Sequence, residues 1–130
     1  MDFSQLVYPK ESYSITGVLY ATHNELGRSC NEKQYCDKIQ DHFKVLGIKF
    51  EREKVLPPSF EAETPGRNRV DFVVEGKIAV EAKANRVLTR EDYYQLKRYL
   101  QASGLKLGLL VNFRDKYIRP KRVLNSLAKE

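Results

Sequence analysis

Tryptophan is absent from this 130-residue chain, methionine occurs once and cysteine twice. Cys30 and Cys36 are too few for a disulfide scaffold, so a reduced, intracellular (cytoplasmic) protein is expected. They stand six positions apart, which is not a zinc-knuckle spacing, and no second ligand pair accompanies them. No apolar run approaches the roughly 18–20 residues that cross a bilayer, so no membrane partner is expected. The first five residues lack the basic start and apolar stretch of a signal peptide. Glycine-rich phosphate loops, nucleophile elbows and internal repeats are missing too, which removes several nucleotide-binding, serine-hydrolase and solenoid classes.

What is present can build one core. Hydrophobic residues make up 42% of the chain, with six Phe and eight Tyr. That suits a single domain over 1–130 and argues against disorder. Lys and Arg total 23 against 17 Asp and Glu, a net charge of +6. A basic surplus suits a polyanionic partner, since phosphates demand cations, and it equally suits a solvated surface.

The apolar spacing predicts an α/β domain in the order α-α-β-β-β-α-β. Ile15, Val18, Leu19, Thr22 and Leu26 make one helical stripe over 12–26, ended by Gly27. Ser29 or Asn31 can cap a second helix that runs to Leu46, with Gly47 as its stop. A strand over 48–56 ends at Pro57-Pro58, and a turn follows over 64–68. Residues 69–74 and 77–83 read as hairpin strands about Glu75-Gly76. Thr89, with Asp92, caps a helix to about Ala102 that Gly104 stops. Residues 105–113 read as a strand buried on both faces, and the basic tail after Arg114 as a short last helix.

Charges that interrupt this pattern carry the functional signal. Glu32 heads the stripe Tyr35, Cys36, Ile39, Phe43 and Leu46, so it lies at the inward edge of its helix. A first-turn carboxylate is also what the helix dipole favours. Glu81 and Lys83 share one strand face, opposite to Ile78, Val80 and Ala82. A three-residue hairpin loop puts Asp71 on that same face, whereas a two-residue loop turns it away. Val74-Glu75-Gly76 suits the longer form, with Gly76 in the left-handed position. Asp71 and Glu81 would then stand roughly 5–8 Å apart at Cβ. Two such carboxylates repel unless a proton or cation joins them, and Mg²⁺ or Mn²⁺ is the hard ion that oxygen ligands suit. A plain salt bridge from Asp71 to Lys83 is the simpler alternative. Gln95 and Tyr99, one turn apart, share a helix flank away from the packing stripe Tyr93, Leu96 and Leu100.

Together these residues match the needs of phosphodiester hydrolysis, in which a metal polarises the phosphate and activates water while a cation meets the developing charge. Asp71, Glu81 and the Ala82 carbonyl are the candidate ligands, and Glu32 is a further one, through water. Lys83 is the candidate catalytic cation, with Gln95 and Tyr99 orienting it or the phosphate. Asp71 followed by Glu81-Ala82-Lys83, after a helical glutamate, resembles the PD-(D/E)xK nuclease superfamily, and Gln95-x-x-x-Tyr99 resembles the QxxxY element of its RecB-like branches. The small GxxExxR proteins of that superfamily are more similar still. The resemblance is carried by Tyr8-Pro9, His23-Asn24-Glu25-Leu26-Gly27, Glu32-Lys33-Gln34-Tyr35, Gly47-Ile48-Lys49-Phe50, Arg69-Val70-Asp71-Phe72 and the run from Gly104 to Phe113. Ser29 and Tyr35 stand where that name has glycine and arginine, and Val70 stands where the superfamily has proline. The resemblance implies a restriction-endonuclease-like core, a mixed central sheet flanked by helices. It implies metal ligands at Asp71 and Glu81, catalysis at Lys83 and support from Glu32.

The expected activity is therefore Mg²⁺- or Mn²⁺-dependent cutting of nucleic acid, DNA ahead of RNA. The alternatives are a nuclease fold that binds nucleic acid or a partner without cutting, and a structural protein whose acids and lysine neutralise one another. Arg86, Arg90 and Arg98 cluster near the candidate site, and Arg114, Lys116, Arg119, Lys121 and Arg122 crowd the tail, so these eight are candidate phosphate contacts. So small a chain offers a duplex little surface beyond its own cleft, which leaves room for a homodimer.

Overall fold

Short-range signals set the helix ends in the computed structural model, which describes residues 7–56, 61–64 and 68–126. Helix α1 spans Pro9–Leu26, with Pro9 in its first turn, where a missing N–H costs nothing. Helix α2 spans Glu32–Leu46, and Asn31 rather than Ser29 caps it in a full box with Gln34. Helix α3 spans Arg90–Ser103, with Thr89 and Asp92 as the expected box. The stop expected at Pro57-Pro58, and Pro65–Arg67 of the expected turn, lie outside the described residues.

The strands form one mixed sheet in the order β1-β2-β3-β4-β5. They are β1 Phe50–Val55, β2 Arg69–Val74, β3 Ile78–Lys83, β4 Leu107–Asn112 and β5 Lys121–Leu124. Strand β3 pairs with β4 in parallel, and the other neighbours are antiparallel. Strand β4 is buried along its whole length, as its near-continuous apolar run predicts.

Strand β5 corrects the expected last helix. As a helix, this segment would leave the edge amides and carbonyls of β4 without the partners that β5 supplies. As a strand it also buries Val123 completely under α3.

Two cores flank the sheet. On one face α1 and α2 pack Leu19, Tyr35, Ile39 and Phe43 against Phe72, Val80, Val111 and Phe113. Tyr35 stacks on Phe113 with ring centres 4.3 Å apart, and Phe43 meets Phe72 edge-on at 5.4 Å. Each such side chain, once buried, contributes roughly 1.5–3 kcal/mol. On the other face α3 packs Leu96, Tyr99 and Leu100 against Val73, Ala79, Leu110 and Val123. Tyr99 thus belongs to the packing stripe of α3, not to a separate polar flank. Leu46, expected at the end of the α2 stripe, is the last residue of α2 and is 60% exposed. Among the described residues no helix is long and apolar enough to cross a membrane.

Candidate active site

The hairpin register decides which way Asp71 points. Val74 pairs with Ile78, so the loop is Glu75-Gly76-Lys77, three residues long but one position further on than Val74-Glu75-Gly76. Gly76 takes the expected positive φ, and Glu75 does so too, at 56°. A non-glycine residue there is unfavourable. Two hydrogen bonds to Lys49 hold it: Glu75 N–H donates to the Lys49 carbonyl at 2.9 Å, and Lys49 N–H donates to Glu75 Oε1 at 3.0 Å.

This register carries Asp71 level with Glu81. The β2–β3 pairing stops at Phe72↔Val80, just before it reaches them. Beyond that point the Asp71 carboxylate accepts the Ala82 N–H at 2.8 Å. The Ala82 carbonyl lies on that same strand edge, because N–H and C=O of one strand residue point the same way.

The diverging strands open a polar cleft of about 320 Å³, lined by Glu32, Arg69, Val70, Asp71, Glu81, Lys83 and Gln95. Five sequence-derived candidates therefore meet in one place. Glu81 is 6% exposed. Burial, and then the Asp71 carboxylate beside it, push its carboxyl up to about 10. Glu32 comes from the opposite layer, at the head of α2. Burial raises its carboxyl, an effect opposed by the charge of Lys83, while Asp71 and Asp92 add to it. Tyr35 sets the approach of α2: its hydroxyl donates to the Gly27 carbonyl at 2.6 Å and accepts the Cys30 N–H at 3.3 Å, fixing the α1–α2 turn. Lys83 Nζ lies 3.4 Å from Gln95 Oε1 and 3.9 Å from Asp92 Oδ1.

Tyr99 is not among the residues that line the cleft, although the Glu81 charge acts on its hydroxyl. It is 2% exposed in the core one turn beyond Gln95, and burial raises its hydroxyl to about 12. Among the candidate phosphate contacts, Arg86, Arg90, Arg114, Lys116, Arg119 and Lys121 are exposed, and Arg98 is half-buried. Arg122 is engaged within the fold, donating to the Val7 carbonyl at 2.6 Å and to Ser12 Oγ at 2.9 Å. Sequence reasoning missed Arg69, which lines the cleft although its place beside Asp71 was a signal. It also missed Arg28, which borders a smaller neighbouring pocket with Arg114 and Ala84. The ion pair of Asp92 with Lys83 was missed as well, and only the packing of α3 on β3 reveals it.

Cys30 and Cys36 are free thiols, and His23 packs near Phe113 while its Nε2 meets the Asp115 carbonyl at 2.9 Å. Among the described residues no three His, Cys, Asp or Glu side chains converge at metal-ligand spacing. The donor chemistry nevertheless fits one kind of ion. Mg²⁺ keeps several waters and needs only one or two carboxylates besides its substrate. A buried acid facing a second acid also lacks the positive charge that such an ion brings.

A mixed sheet between two helical layers, with acids and a lysine gathered where a hairpin splays open, defines a nuclease-type fold. A family model described as the PD-(D/E)XK nuclease superfamily matches residues 9–123, and the chain belongs to that superfamily. No curated protein and no solved structure matches the chain.

Proposed function

We propose that this protein is a divalent-cation-dependent nuclease of the GxxExxR kind, acting on DNA ahead of RNA. The observation that supports this most is the sharing of one cleft by Asp71, Glu81 and Lys83, with Glu32 on its wall. Asp71 and Glu81 would hold Mg²⁺ or Mn²⁺, with the Ala82 carbonyl and Glu32, through water, as further donors. When bound, the ion polarises the scissile phosphate and lowers the pKa of a coordinated water. Lys83 places a positive charge beside the attacking water and the developing oxyanion. Gln95 and Asp92 fix the Lys83 ammonium between them, and Tyr99 holds the turn of α3 that carries Gln95. Arg69 and Arg28 join the exposed basic residues as phosphate contacts.

The test is cleavage of duplex, single-stranded and branched substrates by the purified protein with Mg²⁺, with Mn²⁺ and with chelator. Cleavage is expected only with metal. Lys83→Ala should abolish it while substrate binding survives. Equal cutting by that variant would sink the mechanism, and binding without cutting by the unmodified protein would support a non-catalytic nucleic-acid module instead.

A further inference from the structure

Helix α3 borders two openings. The carboxylate–lysine cleft lies on its β2–β3 side. On its β4–β5 side is a groove of about 360 Å³, whose walls include Leu88, Arg90, Tyr93, Tyr94, Leu110 and Lys121. The two openings are neighbours through the strands, since Leu110 pairs with Glu81 in the parallel β3–β4 ladder.

The groove has a distinctive chemistry. Leu110, 1% exposed, gives it an apolar floor. Tyr93 carries two ammonium groups, Lys121 Nζ at 4.9 Å and Lys97 Nζ at 5.8 Å from its ring centre. These cation–π contacts fix the Tyr93 ring. Tyr94 meets Tyr93 edge-on at 5.5 Å and is 54% exposed, so its ring remains available. No carboxylate lines the groove, and among the described residues neither Arg90 nor Lys121 has an acidic partner.

An exposed ring over an apolar floor, flanked by unneutralised cations, complements a planar group that carries negative charge. An unpaired nucleotide supplies both, stacking its base on the ring and giving its phosphate to the cations. An acidic peptide would satisfy the cations and leave the ring and floor unmatched. A base inside a duplex is stacked on both faces and paired at its edge, and must leave the helix to enter such a pocket.

We infer that the groove between α3 and β5 is a single-strand subsite: one unpaired base stacks on Tyr94 while Arg90 and Lys121 hold its phosphates. The strand then rounds the start of α3, past Arg86, into the neighbouring cleft. The substrate is accordingly single-stranded nucleic acid or a duplex with an unpaired end. This rests on the proposed nuclease reading, from which its test must be separable.

The experiment measures binding by fluorescence anisotropy in chelator, where no cutting occurs. The probes are a labelled single strand, its duplex, and an abasic strand with the same backbone. The intact protein should prefer the single strand to both others. Tyr94→Ala should weaken single-strand binding about tenfold or more and leave duplex binding unchanged, whereas Tyr94→Phe should retain it. Arg90→Ala and Lys121→Ala should each lower the salt slope for the single strand by about 0.7. Thermal melts check that Tyr94→Ala folds, as its exposure predicts. Equal binding of the abasic strand, or an unchanged single-strand affinity in Tyr94→Ala, overturns the inference. With metal-dependent cleavage of duplex intact, that result leaves the nuclease reading standing. Failure to bind any of the three probes also overturns the inference, and the nuclease reading falls only if no substrate is cut when metal is supplied.

Discussion

The Asp71 carboxylate occupies the place of a strand partner, accepting the Ala82 N–H at 2.8 Å where the β2–β3 ladder has ended. One side chain therefore closes the hairpin and faces Glu81. The two roles separate by substitution. Asp71→Asn keeps an oxygen acceptor and loses the charge, so the metal-free protein should melt at the same temperature or higher. The unmodified protein should gain about 1.4 kcal/mol at an ion concentration tenfold above Kd, and Asp71→Asn should not. Asp71→Ala loses the acceptor too and should fall by about 0.5–1.5 kcal/mol. Thermal melts with and without Mn²⁺ read all three, and a full metal shift in Asp71→Asn would remove Asp71 from the ligand set.

Asp92 joins two structures. Its Oδ2 accepts the Thr89 N–H at 2.9 Å in the capping box, and its Oδ1 lies 3.9 Å from Lys83 Nζ. Asparagine can serve the box without attracting the ammonium. Asp92→Asn should leave stability within about 0.5 kcal/mol and lower turnover roughly 10- to 100-fold, with substrate affinity held. Parallel melts and single-turnover cleavage decide this, and unchanged turnover would leave Asp92 a capping residue only.

Arg122 and Arg114 should behave as opposites. Arg122 ties β5 to the start of α1 through Val7 and Ser12. Arg122→Ala should cost about 1.5–3 kcal/mol of stability. Arg114 is exposed, so Arg114→Ala should leave the melt in place and reduce the salt dependence of nucleic-acid binding. Denaturant unfolding and salt-titrated binding distinguish the two.

Gly108 is closed to any side chain. A Cβ there would stand 2.9 Å from Leu96 Cδ2 and 3.0 Å from Leu96 Cγ, so the whole isopropyl group would have to move within a filled cluster. Gly108→Ala should destabilise by about 1–3 kcal/mol, seen as a lower melting temperature. An unchanged melt would show that α3 shifts freely on the sheet.

Much of the fold was legible because its signals are local. Asn31, Thr89 and the glycines after each helix act on their immediate neighbours, and the apolar run of β4 needs no partner to be read. The side of Asp71 was legible as soon as the loop had three residues. The exact loop was not, because the positive φ of Glu75 is held by Lys49, far away in sequence. Tyr99 was misplaced because a tyrosine one turn from Gln95 reads as polar, although it stands three residues after Leu96 on the buried stripe. Strand β5 was unreadable for a related reason. Basic residues surround its single buried Val123, and the β4 edge it completes becomes visible only in the sheet. Arg122 likewise looked like surface charge until its partners, the Val7 carbonyl before α1 and Ser12 on it, came into reach.

Glu32 enters the cleft from α2, while Asp71, Glu81 and Lys83 arrive on the sheet and Gln95 on α3. Under the proposed chemistry, no pair of adjacent segments holds the full set. A half-folded chain, with its hairpin formed and α2 still undocked, would bring Asp71, Glu81 and Lys83 together and lack Glu32. Under that chemistry the site would gain its last carboxylate only when α2 docks, so the cleft would be completed late in folding.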